Sequence, residues 1–312
     1  MTVEPTLHHV SCPDWGGQPP EGKSAGQHRV AYWQWGDAGA GHVIVCAHGL
    51  SRQGRDFDAL ARFLLKSAGA EPLRVICPDV AGRGQSDWLA DPLGYQIPYY
   101  VADMLRLLGT LGASGPITAL DWVGTSMGGL IGLGLAGQPG LPLPVPLRRL
   151  VLNDVGPTVQ WEALERIGQY LGKSVDVPSL EEGARALLLI SQGFGPHTAD
   201  QWLALSAPMF KPREGGGLRL HYDPRIAVPM RHLTREAAAQ GEAALWALYD
   251  QIAARTLLIR GAESDLLSSA TAEAMAARGP RPRIVEFAGV GHAPMFIAPD
   301  QAAVVADFLL RA

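Results

Sequence analysis

Residues 121–130 read DWVGTSMGGL, with Ser126 held between Gly124 and Gly128. An apolar run at 117–123 leads into this stretch, and Leu130-Ile131-Gly132-Leu133 leads out of it. The first run predicts a buried strand and the second the start of a helix, so the serine falls on the turn between them. Glycines on both sides permit a sharp turn, because a residue without Cβ tolerates strained backbone and lets a helix approach a strand closely. In a chain with 37 glycines a Gly-x-Ser-x-Gly match says little by itself. The strand, turn and helix around it supply the context that a nucleophile elbow requires. In that setting the Ser126 hydroxyl stands at the carboxyl edge of a sheet, beside a helix N-terminus.

The same rhythm extends in both directions. Residues 30–35 and 42–47 predict strands, Phe57, Leu60, Phe63 and Leu64 a helix, 73–77 a buried strand, 99–111 a helix and 150–153 a strand. Continuous rather than alternating apolarity marks a mostly parallel central sheet with helices on both faces, an α/β fold. From Gly156-Pro157 to about Asp250 helical patterns replace strand patterns, notably at 161–171 and 242–249. The strands return at 256–259 and 283–287, and the chain closes with a helix at 301–310. The expected organisation is an N-terminal extension at 1–28, a core built from 29–155 and 251–312, and an inserted helical cap at 156–250.

With 312 residues and 47% apolar content, the chain can bury a large core. Its net charge of −4 comes from interspersed charges, which offers neither a nucleic-acid footprint nor a basic membrane-binding face. No stretch approaches the ~18 consecutive apolar residues of a membrane span. The expected partner is a small molecule, an ester or related carbonyl compound. Cys12, Cys46 and Cys77 cannot all pair and lack metal-ligand spacing, and two of them lie in apolar strand-like runs. This suits a reducing, cytoplasmic location. The first 27 residues include a Gly/Pro-rich stretch at 16–22 but no basic start followed by an apolar run, so no signal peptide is expected.

A serine hydroxyl attacks poorly until a base takes its proton, and the base needs an orienting acid. Of nine histidines, His292 alone follows a late strand through a glycine turn, Gly289-Val290-Gly291-His292, which can project an imidazole over the sheet edge. Asp265 lies shortly after the strand at 256–260 and is the expected acid, in the chain order Ser126, Asp265, His292. Asp154, just beyond the strand ending at Asn153, is its rival, and Glu263 a weaker one. Asp121 reads as a strand polar group with a hydrogen-bond partner. The oxyanion of a tetrahedral intermediate needs two converging N–H donors. The Met127 amide supplies one by position, and the loop His48-Gly49-Leu50 brings the Leu50 amide as the other. His48 reads as an anchor of that loop.

Together these stretches resemble the α/β-hydrolase superfamily over about 28–310. The resemblance is carried by His48-Gly49, by the loop from Asp79 to Ser86 (DVAGRGQS), by GTSMGG at 124–129, by Asp265 and by Gly291-His292-Ala293-Pro294. It implies that the 79–86 loop shapes the core and pocket rim, and that the inserted helices form a cap. Relatives resembling haloalkane dehalogenases and epoxide hydrolases carry aspartate at the elbow. Serine at 126 points instead to acyl transfer, and carboxylic-ester hydrolysis of small or medium acyl esters or lactones leads, with no cofactor and no metal. The alternative is carbon–carbon bond hydrolysis of diketo acids from aromatic ring cleavage, for which Arg52 would supply a positive group. A ligand receptor on this fold need not keep all three catalytic residue types, which here are all placed. The inserted segment offers Trp161, Tyr170, Phe194, Trp202, Met209, Phe210, Tyr222 and Trp246 for its own core and for an apolar pocket.

Overall fold

A computed structural model describes residues 4–14, 26–173 and 175–311. The Gly/Pro-rich stretch at 16–22 lies outside them. Eleven strands and ten α-helices alternate among the described residues: β1 (Thr6–Pro13), β2 (Gln27–Gly36), β3 (His42–Ala47), α1 (Asp58–Ala68), β4 (Arg74–Pro78), α2 (Ile97–Ser114), β5 (Ala119–Thr125), α3 (Met127–Gly137) and β6 (Leu147–Asn153) come first. The inserted segment holds α4 (Trp161–Tyr170), β7 (Asp176–Val177), α5 (Leu180–Ile190), α6 (Ala199–Ser206), β8 (Phe210–Pro212), β9 (Leu218–Leu220), α7 (Val228–Arg231) and α8 (Arg235–Tyr249). β10 (Arg255–Gly261), α9 (Ser269–Ala277), β11 (Arg283–Phe287) and α10 (Pro299–Leu310) complete the chain.

The main sheet has eight strands in the order β1-β2-β4-β3-β5-β6-β10-β11. β1 and β2 run antiparallel to their neighbours, and the pairs from β4 to β11 are parallel. Alternate residues of each central strand enter different cores. Val43, Val45, Leu150 and Leu152 pack with Met104, Leu107, Ile131 and Leu133 of α2 and α3. Ile44, Val151, Leu257 and Ile259 pack with Leu60 and Leu64 of α1 and Val305 and Leu309 of α10. Both faces of these strands are therefore buried, which is why their sequences read as unbroken apolar runs.

Two elements differ from the sequence expectation. The stretch assigned to an N-terminal extension contributes β1, paired with β2 through contacts such as Val10 opposite Val30. Only Val10 and Cys12 of β1 are buried, so its alternation is too short to stand out. The inserted segment is not purely helical: β7, β9 and β8 form a small antiparallel sheet. Its strands are two or three residues long, below the length at which a period can be read.

No helix is long and apolar enough to cross a membrane among the described residues. Cys12, Cys46 and Cys77 are all buried free thiols.

The elbow shows what its glycines do. A Cβ on Gly128 would lie 2.0 Å from the Ala47 carbonyl oxygen at the end of β3, and one on Gly124 would lie 2.3 Å from the Gly128 oxygen. These are backbone atoms that cannot turn aside. Gly128→Ala should therefore destabilise the protein by about 3 kcal/mol, the upper end of ordinary overpacking, measured by urea denaturation. A loss below about 0.5 kcal/mol would mean that the helix can back away from the strand.

Candidate active site

Ser126 is the residue between β5 and α3, with φ 51° and ψ −117°. A non-glycine residue rarely adopts this backbone, and it persists only where its surroundings impose it. Here the Ser126 N–H donates to the Asn153 carbonyl at 3.0 Å, while the Ser126 carbonyl accepts from Gly129 and Leu130 in the first turn of α3. The turn is thus tied to β6 on one side and to its own helix on the other.

His292 follows the Gly289–Gly291 turn after β11. Its Nε2 lies 2.9 Å from Ser126 Oγ, and its Nδ1 lies 2.7 Å from Asp154 Oδ2. With Nδ1 protonated, the ring donates to the carboxylate and accepts from the hydroxyl, so the three side chains form one continuous row. Asp154 is fully buried and also has a left-handed backbone, φ 55°. Its carboxylate is fully occupied: Oδ1 accepts from the Gly261 N–H at 2.9 Å, and Oδ2 accepts from Ser264 Oγ at 2.6 Å as well as from His292.

Asp265, the expected acid, is elsewhere. Its carboxylate is 52% exposed and bonded to Arg166 at 2.7 Å, not to His292. The sheet order gives the reason. β6 lies between β5 and β10, so a residue leaving the end of β6 is one strand nearer the serine than one leaving β10. The loop after β10 contributes Ser264 instead, a donor to Asp154 whose own oxygen accepts the Leu266 and Leu267 amides. Glu263 is exposed.

Two further residues escaped sequence reading. Asn153 Nδ2 donates to Thr125 Oγ1 at 2.9 Å and to the Pro294 carbonyl at 2.8 Å, tying the elbow to the histidine loop. Arg83, fully buried, donates to the carbonyls of Leu50 and Ala81 and to the Tyr100 hydroxyl. It also reaches the Met127 sulfur at 3.7 Å. One guanidinium thus grips both segments expected to supply oxyanion donors. Among the described residues, neither the Leu50 nor the Met127 N–H has an acceptor.

Arg52 lines the cavity but is neutralised. It holds Asp56 through two bonds of 2.8 and 2.7 Å, donates to the Leu205 carbonyl, and lies over the Phe194 ring. The expectation of a cation available to substrate fails because Asp56, one turn onward, is buried with it. Asp121 is bonded to His42 and Arg148 at the other end of β5.

The cavity above Ser126 holds about 220 Å³. Core residues 48–52, 56–57, 125–126 and 292–296 form one part of its lining, and the inserted segment forms the rest, with Tyr170, Phe194, Met209, Phe210 and Tyr222 among its side chains. Trp161, Trp202 and Trp246 do not line it. One other cluster has ligand-type side chains: Cys12, His28 and Asp103, whose polar atoms lie within 4.8 Å of one another. The His28 ring bridges Asp14 and Asp103, so the group ties β1 and β2 to α2.

A fold of this strand order with a strained serine at its elbow defines an α/β hydrolase. The model of the alpha/beta hydrolase family matches residues 44–308, and the chain belongs to that family. A 3-hydroxybutyrate-oligomer hydrolase of Cupriavidus necator is 49% identical over 315 residues, covering 100% of both chains. Among solved structures, an alpha/beta hydrolase from Novosphingobium aromaticivorans is 32% identical with a TM-score of 0.80, covering 99% of each chain. A crystal structure from Rickettsia typhi reaches a TM-score of 0.83 at 27% identity, covering 98% of this chain and 99% of its own.

His48 has a fixed tautomer. Its Nδ1–H donates to the Gly49 carbonyl at 2.7 Å, and its Nε2 accepts from the Val80 N–H at 2.9 Å. Complete burial, helped by the nearby Arg83 and Arg52 charges, pushes its pKa down to about 3. An unfolded histidine protonates near pH ~6.5. The native state therefore loses stability as pH falls through the window from there to about 3. The His48 ring signals in NMR should stay those of the neutral Nδ1–H form between about pH 8 and pH 5; titration inside that range would mean the loop opens.

Proposed function

We propose that the chain hydrolyses carboxylic esters through an acyl-enzyme on Ser126, with His292 as general base and acid and Asp154 as its orienting acid. The observation that carries this is the unbroken row from Ser126 Oγ through His292 to Asp154, at 2.9 and 2.7 Å. His292 takes the serine proton as Oγ bonds to the ester carbon. Asp154, buried and fully hydrogen-bonded, holds the ring in the Nδ1–H tautomer and stabilises the imidazolium that forms. The Leu50 and Met127 amides receive the developing oxyanion, a preorganised charge interaction worth about 3 kcal/mol per donor. His292 then protonates the departing alcohol, and a water activated by the same imidazole releases the acyl group.

Short oligomers of 3-hydroxy acids are the substrates we propose, on the strength of the 49% identical full-length relative. The lining suits them, since a largely apolar wall accepts an aliphatic polyester chain. The inserted segment acts as the cap. It docks on the histidine loop where the Gly291 N–H donates to the Gly193 carbonyl at 2.8 Å, and on the 79–86 loop through an Arg83–Tyr222 bridge. Arg52 does not support the diketo-acid alternative, because its charge is taken by Asp56. The buried free thiols support a reducing, cytoplasmic location.

The test is hydrolysis of a 3-hydroxybutyrate trimer by wild type and three variants. Ser126→Ala should abolish turnover, and Asp154→Asn should lower kcat by about 10⁴-fold, as loss of the correct tautomer does in serine hydrolases. Asp265→Asn should stay within about threefold of wild type, since an exposed ion pair contributes about 1 kcal/mol or less. A large loss in Asp265→Asn with an active Asp154→Asn would reverse the assignment of the acid.

A further inference from the structure

The cavity over Ser126 is unevenly charged. Both His48 ring nitrogens are taken by backbone partners, Arg52 is cancelled by Asp56, and His292 belongs to the serine row. Arg166 reaches Asp265. Lys173 differs from all of these. It lines the cavity just after α4, is exposed, and has no carboxylate partner among the described residues. Its backbone is nevertheless fixed: its N–H donates to the Tyr170 carbonyl at 3.2 Å, and its carbonyl accepts from the Tyr222 hydroxyl at 3.5 Å. Around it the lining is apolar, with Ile167, Leu171, Val175 and Leu220. The cavity is thus a greasy sleeve with one uncompensated cation on its wall.

An oligoester of a hydroxy acid has matching chemistry. Its repeating units are neutral, and its one permanent charge is the carboxylate at the free-acid end. We propose that Lys173 binds this terminal carboxylate, so that the enzyme measures its cleavage position from the acid end of the chain. The inference rests on the ester-hydrolase reading above. The carboxylate belongs to the leaving fragment. Ser126 Oγ bonds to the acyl carbon, the bond from that carbon to the alcohol oxygen breaks, and His292 delivers the proton to the departing hydroxy acid, which Lys173 holds. Water then hydrolyses the acyl-enzyme and regenerates Ser126. Products therefore leave from the acid end as short hydroxy acids.

The experiment compares a 3-hydroxybutyrate trimer bearing a free carboxylate with the same trimer capped as its methyl ester, in wild type, Lys173→Met and Lys173→Arg. In wild type the ratio of kcat/KM, free acid over methyl ester, should exceed one and should decline with added salt, because an exposed charge pair is screened. Lys173→Met should lower that ratio about fivefold, chiefly through KM of the free acid, and Lys173→Arg should restore most of it. An unchanged ratio in Lys173→Met, with both trimers cleaved, would overturn the carboxylate anchor and leave ester hydrolysis standing. A wild type inert toward both trimers would overturn the ester reading, and the anchor with it.

Discussion

The closeness of α3 to the ends of β3 and β5 is the constraint on which this protein depends. The first turn of the helix lies so near the sheet that a methyl group at Gly124 or Gly128 would overlap backbone atoms. Trp122 adds a hydrogen bond across the same contact, from its indole N–H to the Gly128 carbonyl at 2.9 Å. With the helix held there, the residue linking strand to helix must take a left-handed backbone, and Ser126 does so at φ 51°. That strain costs of the order of 1–3 kcal/mol and is offset by the packing around it. Its effect is to expose a hydroxyl beside the N–H groups of a helix start, where negative charge is favoured.

The partners of that hydroxyl come from the neighbouring strand ends. Asn153 and Asp154 are consecutive residues at the end of β6. The first fixes the elbow and the histidine loop, and the second fixes the imidazole. Asp154 turns away from the strand with positive φ, and Gly261 and Ser264, from the end of β10 and its loop, complete the shell around its carboxylate. Three adjacent strands thus meet at one ion-like row. The low-dielectric setting strengthens each of these bonds and makes any missing partner costly.

The inserted segment supplies much of the cavity wall over the row, with Tyr170, Phe194 and Met209 among its side chains. Its fastenings to the core include Gly193 against Gly291, Tyr222 against Arg83, and the Leu205 carbonyl against Arg52. Two of those fastenings use arginines that also organise the core loops. Arg52 carries charge in the cavity wall yet serves as a tether, and Arg83 secures the Leu50 loop from beneath. A fold of this type hosts many reactions, so the fold alone does not name the substrate.

Much of this was legible along the chain. Strands buried on both faces advertise themselves as apolar runs, and the turn at Ser126 is a local event that glycine spacing reveals. His292 is local too, a ring raised on a glycine turn. β1 was not legible, because two inward residues make no pattern, nor was the small sheet of β7, β8 and β9, whose strands are too short to show one. Choosing the acid lay beyond any local pattern. Asp154 and Asp265 both follow strands, and only the lateral order β5-β6-β10 tells which carboxylate lies beside a ring 138 residues away in the chain. Arg52 likewise reads as a free cation until folding buries it with Asp56. Spacing along a polymer records which elements form and where each turn exposes a side chain. Which exposed side chains then meet is set by strand order and loop reach, which exist only once the sheet is assembled.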